Sequence, residues 1–292
     1  MEKIQRIGVI GLGNMGRGMA LSLARAGFGV AGFDNGESAT LAARAAGIAV
    51  ADGLPALAAT CDAFVLSLPT SAIVKAVLFG ADGKDGLAAL LKPGTLIVDT
   101  TTADPQATRA MLPALGERGL RFVDAPVSGG AAGAQKGQLT MFIGGAPADL
   151  DLAEPVLAAM GSKLFTIGAA GAGHTAKLIN NLLVASHLLT AADAFRLSEA
   201  AGVPIGQIIE AVNAGSGRSG VTQYNYPSRI MNGAFDSGFT MQLMRKDVGL
   251  AMALAEQLAL ELPLAREVGR RWKESAALLA DGEDFNRITQ LQ

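Results

Sequence analysis

The chain has little cysteine and little histidine: one cysteine and two histidines in 292 residues. A lone Cys61 excludes an intrachain disulfide and a cysteine-built zinc cluster, and fits a reducing compartment. His174 and His187 are too few for most histidine-built sites, so no metal is expected. A basic surplus is missing as well. The formal net charge is -2, which leaves nothing to neutralise the phosphates of a nucleic acid. Met1 to Arg6 run straight into an apolar segment and lack the basic stretch, apolar core and small-residue cleavage site of a secretion signal. Ser186, His187 and Asp193 interrupt the richest apolar run before it reaches the roughly 20 residues that span a bilayer. Repeats and low-complexity linkers are absent. These lacks together predict a cytoplasmic protein with neither a membrane nor a nucleic-acid partner.

Apolar residues make up half of the chain, and 37 residues are glycine; the length suits one large domain or two medium ones. Ile7 to Ile10 is a short β-branched run followed at once by glycines, hence a buried strand. Asn14 to Ala26 carries Met15, Met19, Leu23 and Ala26 near helical spacing, and Phe28 to Phe33 reads as the next strand. The alternation continues with helices at 38–46, 54–59 and 71–78 and strands at 48–50, 63–68, 95–98 and about 122–123. Near-continuously apolar strands separated by helices predict a mostly parallel sheet covered on both faces. Leu139 to Ile143 and Leu164 to Ile167 read as further strands flanking a helix over 150–160. From His174 to about Ala201 the sequence is a single helical stretch of roughly 40 Å, and the remaining segments read as helix at 205–213, 226–231, 240–260 and 265–280. The expected organisation is α/β: a doubly wound domain over 1–168, then an all-helical domain over 169–292 that begins with the long helix. Leu178, Ile179, Leu182, Leu183, Val184, Leu188 and Leu189 spread apolar character around that helix. A helix apolar on most sides is buried on most sides, so a second subunit is expected to cover it, giving a homodimer or homotetramer.

Gly11-Leu12-Gly13-Asn14-Met15-Gly16 sits between the first strand and the first helix. The first glycine allows the tight turn, the second lets backbone approach a pyrophosphate, and the third lets helix and strand pack closely. The helix N-terminus beyond them offers N–H groups and a favourable dipole to phosphates. Asp34 ends the second strand, where a carboxylate accepts hydrogen bonds from an adenosine ribose and repels a 2′-phosphate. Residues 35–39 hold no Arg or Lys to offset that repulsion, so NAD is expected over NADP, although Asp34 could also serve as a turn or cap residue. Leu68-Pro69-Thr70 and Asp99-Thr100-Thr101-Thr102 follow strands and face the same expected crevice; Thr102 could instead cap the helix near Pro105.

On these residues the chain resembles the β-hydroxyacid dehydrogenase family, which includes 3-hydroxyisobutyrate dehydrogenase and tartronate semialdehyde reductase. Gly11 to Met19 is similar to the family's opening motif. Asp124-Ala125-Pro126-Val127-Ser128-Gly129-Gly130, continued by Gly133-Ala134 and Gly137 to Thr140, is similar to its substrate-binding motif. Gly171 to Asn181 is similar to its catalytic motif, and Lys246-Asp247 with Leu250-Ala251 to a C-terminal cofactor motif. The resemblance implies a Rossmann-type fold and reversible NAD(P)-linked oxidation of a small hydroxycarboxylate. It implies Lys177 as the catalytic residue, Ser128, Gly129 and Gly130 as holders of the substrate carboxylate, and Asn181 as a substrate ligand. Thr102 would lie near the nicotinamide, and Lys246 would close over cofactor and substrate.

The residues themselves are compatible with these roles. Asn181 falls four positions after Lys177 and so on the same helix face. A lysine base must lose its proton near neutrality although its reference value is about 10.4; Lys246, if close, is a cation that could lower it. Consecutive N–H groups on glycines such as Gly129 and Gly130 form anion nests, with Ser128 adding a hydroxyl. Asp124 and Pro126 read as structural, and His174 is set aside as acid-base catalyst in favour of Lys177. His187 reads as core or interface, whereas Arg218, Tyr224 and Tyr226 are open between substrate contact and surface or packing roles. Two rival functions remain: a reductase of another carbonyl or an imine, and a silent dinucleotide-binding redox sensor.

Overall fold

The computed structural model describes residues 4–80 and 86–291; the first three residues of the charged lead-in Met1 to Arg6 lie outside them. It divides into two compact units, Met1–Lys177 and Leu178–Gln292.

In the first unit strands and helices alternate as the sequence periodicity predicts. The order is β1 (Arg6–Ile10), α1 (Asn14–Arg25), β2 (Gly29–Phe33), α2 (Glu37–Ala45), β3 (Ala49–Val50), α3 (Leu54–Ala58), β4 (Ala63–Leu66), α4 (Ser71–Phe79) and α5 (Leu87–Leu90). Then come β5 (Leu96–Asp99), α6 (Pro105–Glu117), β6 (Arg121–Asp124), β7 (Val127–Ser128), α7 (Gly130–Lys136), β8 (Leu139–Gly145), α8 (Pro147–Met160), β9 (Gly161–Gly168) and the start of α9 (Ala172–Ala200). The sheet runs β3-β2-β1-β4-β5-β6-β8-β7, with β9 on β8. Neighbours from β3 to β6 are parallel, whereas β8 runs antiparallel to β6 and β7. Chain order reverses between β1 and β4, and in open sheets a ligand crevice forms at the carboxyl ends of such a pair. Ile7, Val9, Leu12, Met19 and Leu23 pack on one face of the sheet, and Ile10, Phe64, Leu66, Val74 and Leu78 on the other. Both faces are therefore covered, which is why these strands are apolar throughout.

The helix α7 has no counterpart in the sequence reading. Its sequence Gly-Ala-Ala-Gly-Ala-Gln-Lys has no large apolar stripe, because it packs against α1 through contacts too close for large side chains. A Cβ on Gly18 would lie 2.9 Å from the Cβ of Ala134. Strand β9 is also longer than the short run predicted at 164–167, extending over Gly161–Gly168.

The second unit is helical: the remainder of α9, α10 (Ile205–Ala214), a π-helical segment Val221–Ile230, α11 (Met241–Gln257) and α12 (Pro263–Glu274), with 3-10 turns at Ser275–Ala277 and Phe285–Gln290. Its core gathers Ala185, Leu188, Phe195, Tyr226, Met244, Val248 and Trp272, and the indole Nε1 of Trp272 donates to the carbonyl of Ala185 at 3.3 Å. By length and composition α9 could cross a membrane, yet one side of it is the spine of this core. The helix read at 226–231 is part of the wider π-helical segment, which contains Pro227. The helix read to 260 stops at Gln257, with Ala259 at φ 53, and the one read to 280 gives way to a 3-10 turn after Glu274.

Candidate active site

The glycine turn has the shape its spacing predicts. Gly11 has φ 91, and a Cβ on it would lie 2.2 Å from the carbonyl oxygen of Ser67. A Cβ on Gly16 would lie 1.8 Å from the carbonyl oxygen of Gly11, so this position holds the helix against the turn. Gly13 differs: nothing lies within 4 Å of the site of its Cβ. It is the cap position of α1, it carries no side chain to occupy the first N–H groups, and no acidic residue stands in the first turn. Asn14 beside it is exposed and Met15 half-buried, whereas the Leu12 side chain is buried. The structure thus provides an open, uncapped helix N-terminus on the ligand side, which fits a pyrophosphate.

Asp34 braces this turn. One carboxylate oxygen accepts the Leu12 N–H at 2.7 Å and the other accepts the Gly36 N–H at 2.7 Å. The turn role left open by the sequence is therefore real. Each oxygen keeps a second acceptor position, so the same carboxylate can bind ribose hydroxyls. Arg44 is exposed, in the last turn of α2.

The ends of β4 and β5 are tied together. Thr100 Oγ1 donates to the Leu66 carbonyl at 2.6 Å, and the Leu68 N–H donates to Thr101 Oγ1 at 3.2 Å, which sets Leu68 and Pro69 beside the threonine run. The cap of α6 is Asp104, which accepts the Gln106 N–H at 2.8 Å, so capping does not account for Thr102. Beyond β6, Ser128 is half-buried and Gly129 and Gly130 are exposed. Their φ values of 128 and 64 fall where side chains are rarely tolerated, and they let the backbone reverse from β7 into α7.

Helix α9 begins on the same edge of the sheet. Asp124, the last residue of β6, accepts the N–H of Gly171 at 2.7 Å and of His174 at 2.9 Å. Lys177 follows on the second turn and is 6% exposed. In the second unit Asn181 is buried, and its Nδ2 donates to the buried carboxylate of Asp247 at 2.5 Å. Asn180 donates to Asn181 Oδ1 at 3.0 Å, so it holds its neighbour's amide. Lys246 Nζ lies 3.2 Å from Asp247 Oδ1, an ion pair that offsets the charge of this lysine.

Other open positions take definite places. Tyr226 is core, edge-on to Phe195 at 4.6 Å, and burial pushes its phenol far above the usual range, with Asp193 and Glu199 adding to the rise. Tyr224 is exposed, and exposed Arg218 donates to the Gly215 carbonyl of its own loop at 3.3 Å. His187 is half-buried. Among the described residues no group of three or more His, Cys, Asp and Glu is placed to hold a metal ion.

Residues 6–168 match the family described as NAD binding domain of 6-phosphogluconate dehydrogenase, and residues 171–292 the one described as NAD-binding of NADP-dependent 3-hydroxyisobutyrate dehydrogenase. The chain belongs to the β-hydroxyacid dehydrogenase family. It is 34% identical over 291 residues to 2-(hydroxymethyl)glutarate dehydrogenase of Eubacterium barkeri, covering 100% of this chain and 96% of that one. NAD-dependent L-serine dehydrogenase of Pseudomonas aeruginosa is 37% identical over 267 residues, 89% of each chain. Among solved structures, Mycobacterium tuberculosis 3-hydroxyisobutyrate dehydrogenase with L-serine superposes with a TM-score of 0.89 at 32% identity, covering 98% of both chains. Membership of this family makes the protein an NAD(P)-dependent oxidoreductase acting on a small hydroxyacid or semialdehyde-type substrate.

As a β-hydroxyacid dehydrogenase, the protein pairs residues that the sequence names only singly. Asp247 was visible only as the second half of a Lys-Asp pair, and its buried carboxylate joins Asn181 to Lys246. Asp99 and His174 face each other in the first unit, both fully buried. A strand-terminal aspartate was the available signal for Asp99, but nothing local in sequence pairs it with a histidine 75 positions further along.

Proposed function

We propose that the protein interconverts a small β-hydroxy acid and its semialdehyde or keto form with NAD, and that Lys177 is the acid/base. What supports this reading is a nearly buried lysine on the second turn of α9, in a stretch whose residues resemble the family's catalytic motif. When bound, the nicotinamide supplies the acceptor for the hydride that leaves the carbinol carbon. Lys177 takes the hydroxyl proton during oxidation and returns it during reduction. Asn181, its amide held by Asp247 and Asn180, orients the substrate oxygen. Ser128, Gly129 and Gly130 hold the carboxylate through hydroxyl and backbone N–H groups. Gly11, Leu12, Gly13, Asn14, Met15 and Gly16 cradle the pyrophosphate, Asp34 binds the ribose, Leu68, Pro69 and Thr102 line the cofactor's far end, and Lys246 closes over it.

Preference for NAD rests on Asp34, whose carboxylate opposes a 2′-phosphate. Assembly as a homodimer or homotetramer is supported by the exposed apolar side chains of Ile179, Leu183 and Leu197 along α9, since grouped exposed apolar residues mark protein–protein contact surfaces.

The test is a screen of the purified protein with 3-hydroxyisobutyrate, L-serine, L-threonate and 2-(hydroxymethyl)glutarate, each with NAD and with NADP. Turnover of at least one acid, faster with NAD, is expected; NADH binding with no turnover across the panel would instead support a redox sensor. Lys177→Ala should lower kcat about 100- to 10,000-fold, in the range of acid/base removal, and Asn181→Ala should lower it too. Normal turnover in both variants would refute the mechanism.

A further inference from the structure

The start of α9 is held by one buried carboxylate, Asp124, and faces a second, Asp99, neither with a place in the proton transfer itself. Asp99 and Asp124 end neighbouring parallel strands β5 and β6 and are register partners. Both are fully buried. Adjacent strands stand about 4.8 Å apart, so two acids share a small dry space, an arrangement that costs free energy unless donors are aimed at them. The donors come mainly from α9 and its approach. Gly171 and His174 give their backbone N–H groups to the two oxygens of Asp124. The His174 ring faces Asp99, Nε2 to Oδ2 at 3.6 Å, an approach longer than a hydrogen bond. The other oxygen of Asp99 accepts the Thr101 N–H at 3.0 Å, within the threonine run that leads to Thr102.

The packing around Asp124 leaves no slack. A Cβ on Gly144 would lie 2.6 Å from Asp124 Oδ1, and one on Gly173 would lie 2.8 Å from Oδ2 and 2.2 Å from the Phe142 carbonyl oxygen. Glycines therefore let β8 and the incoming helix close onto the carboxylate. Lys177 lies three residues after His174, on the adjoining face of the same helix. Desolvation raises the Asp124 pKa, and the His174 charge and the backbone N–H groups aimed at the carboxylate offset part of that rise.

We propose that Asp124, backed by the Asp99–His174 pair, is a positioning residue for Lys177: it locks the first turn of α9 to the ends of β5 and β6 and thereby sets where the lysine amine stands relative to the threonine run. The inference rests on Lys177 being the acid/base. An ordinary helix cap would stabilise the protein without acting through the lysine, and a double-mutant cycle separates the two.

The full-length wild type, Asp124→Asn, Lys177→Ala and the double variant are compared in single-turnover NADH formation with saturating NAD and the acid of the panel that reacts fastest, alongside NADH fluorescence titration. Asp124→Asn is expected to lower the rate about 10- to 100-fold, the scale of a misplaced catalytic group, with NADH affinity within about twofold. In the Lys177→Ala background the same substitution should cost less than about threefold, because the groups act as one unit. The proposal is overturned if Asp124→Asn leaves the rate within twofold of wild type, weakens NADH binding as much as it slows the reaction, or multiplies the Lys177→Ala loss in full. If Lys177→Ala itself is as fast as wild type, the acid/base reading falls instead. Should Asp124→Asn not fold, His174→Gln carries the same cycle: a loss of about 3- to 10-fold that vanishes without Lys177 is expected, and an unchanged rate or a fully multiplied loss overturns the proposal.

Discussion

Adding one methyl group at Gly13 should weaken cofactor binding about tenfold or more without disturbing the fold, whereas the same methyl at Gly16 should disturb the fold first. Gly13 is exposed, and the site of its Cβ is open for 4 Å around. Its φ of -58 and ψ of -175 are open to any residue. Alanine there loses some cap preference and gains some unfolded-state restriction, two effects of at most about 1 kcal/mol each and opposite in sign. The Tm should thus move by less than about 3 °C. What the methyl blocks is the approach of a pyrophosphate to the α1 N-terminus. Loss of one or two charge-assisted bonds, each about 1.5–3 kcal/mol, weakens NADH binding about 10-fold or more, at 1.4 kcal/mol per decade. At Gly16 the new Cβ would sit 1.8 Å from the Gly11 carbonyl oxygen, so backbone must move. Overpacking of this kind costs about 1–3 kcal/mol, or roughly 3–10 °C in Tm. Fluorescence titration and thermal melting of the two variants read both effects. A Gly13→Ala protein that binds NADH within twofold of wild type, or melts as early as Gly16→Ala, would refute the assignment of ligand side and packing side within this turn.

Replacing Asp34 by serine should raise the NADP-to-NAD ratio of kcat/KM at least about tenfold by removing the repulsion of a 2′-phosphate; a wild type that already prefers NADP would end the argument. Lys246→Ala tests whether that lysine, despite its pairing with Asp247, assists deprotonation of Lys177: in the oxidation direction the acid limb of the kcat/KM profile, where a base gains its proton, is expected to move to higher pH, and an unmoved limb counts against it. Burial, ahead of the opposing His174 charge and N–H bonds, raises the Asp124 carboxyl above its reference of 3.8. A raised folded-state pKa means a stabilisation complete below pH 3.8 and lost as pH rises through the folded value. The Tm of wild type minus that of Asp124→Asn should accordingly shrink from acid to neutral pH, and a difference that grows would show the sign to be wrong. In the second unit Trp272→Ala should cost about 3–5 kcal/mol, because the ring is fully buried and bonded to Ala185; chemical denaturation showing under 1 kcal/mol would contradict its place in the core.

Local chemistry was enough to read some of this protein. The run of apolar strands, the glycine spacing and Asp34 all act within one strand-turn-helix-strand unit, and each is dictated by what neighbouring residues sterically permit. Gly16 is required by a carbonyl five residues earlier, which is why the motif is legible as a string. The small helix α7 escaped notice because close packing on α1 requires small residues and so erases the periodic apolar signal. Only the second half of the π-helical segment carries a helical signal, since its polar residues and Pro227 resemble no ordinary helix. Motif and spacing single out Lys177 and Asn181 as site candidates, but the carboxylates near them leave no such signal. Asp247 reaches Asn181 across 66 positions of chain, and Asp124 reaches Gly171 and His174 across 47 and 50. The sequence by itself determined the glycine turn, the carboxylate after β2 and the helix that carries the lysine, because the signal for each lies within one short stretch of chain. Only the tertiary structure decided that Asp99 and Asp124 stand side by side beneath that helix, because strand register brings together carboxylates that nothing in the local chain connects.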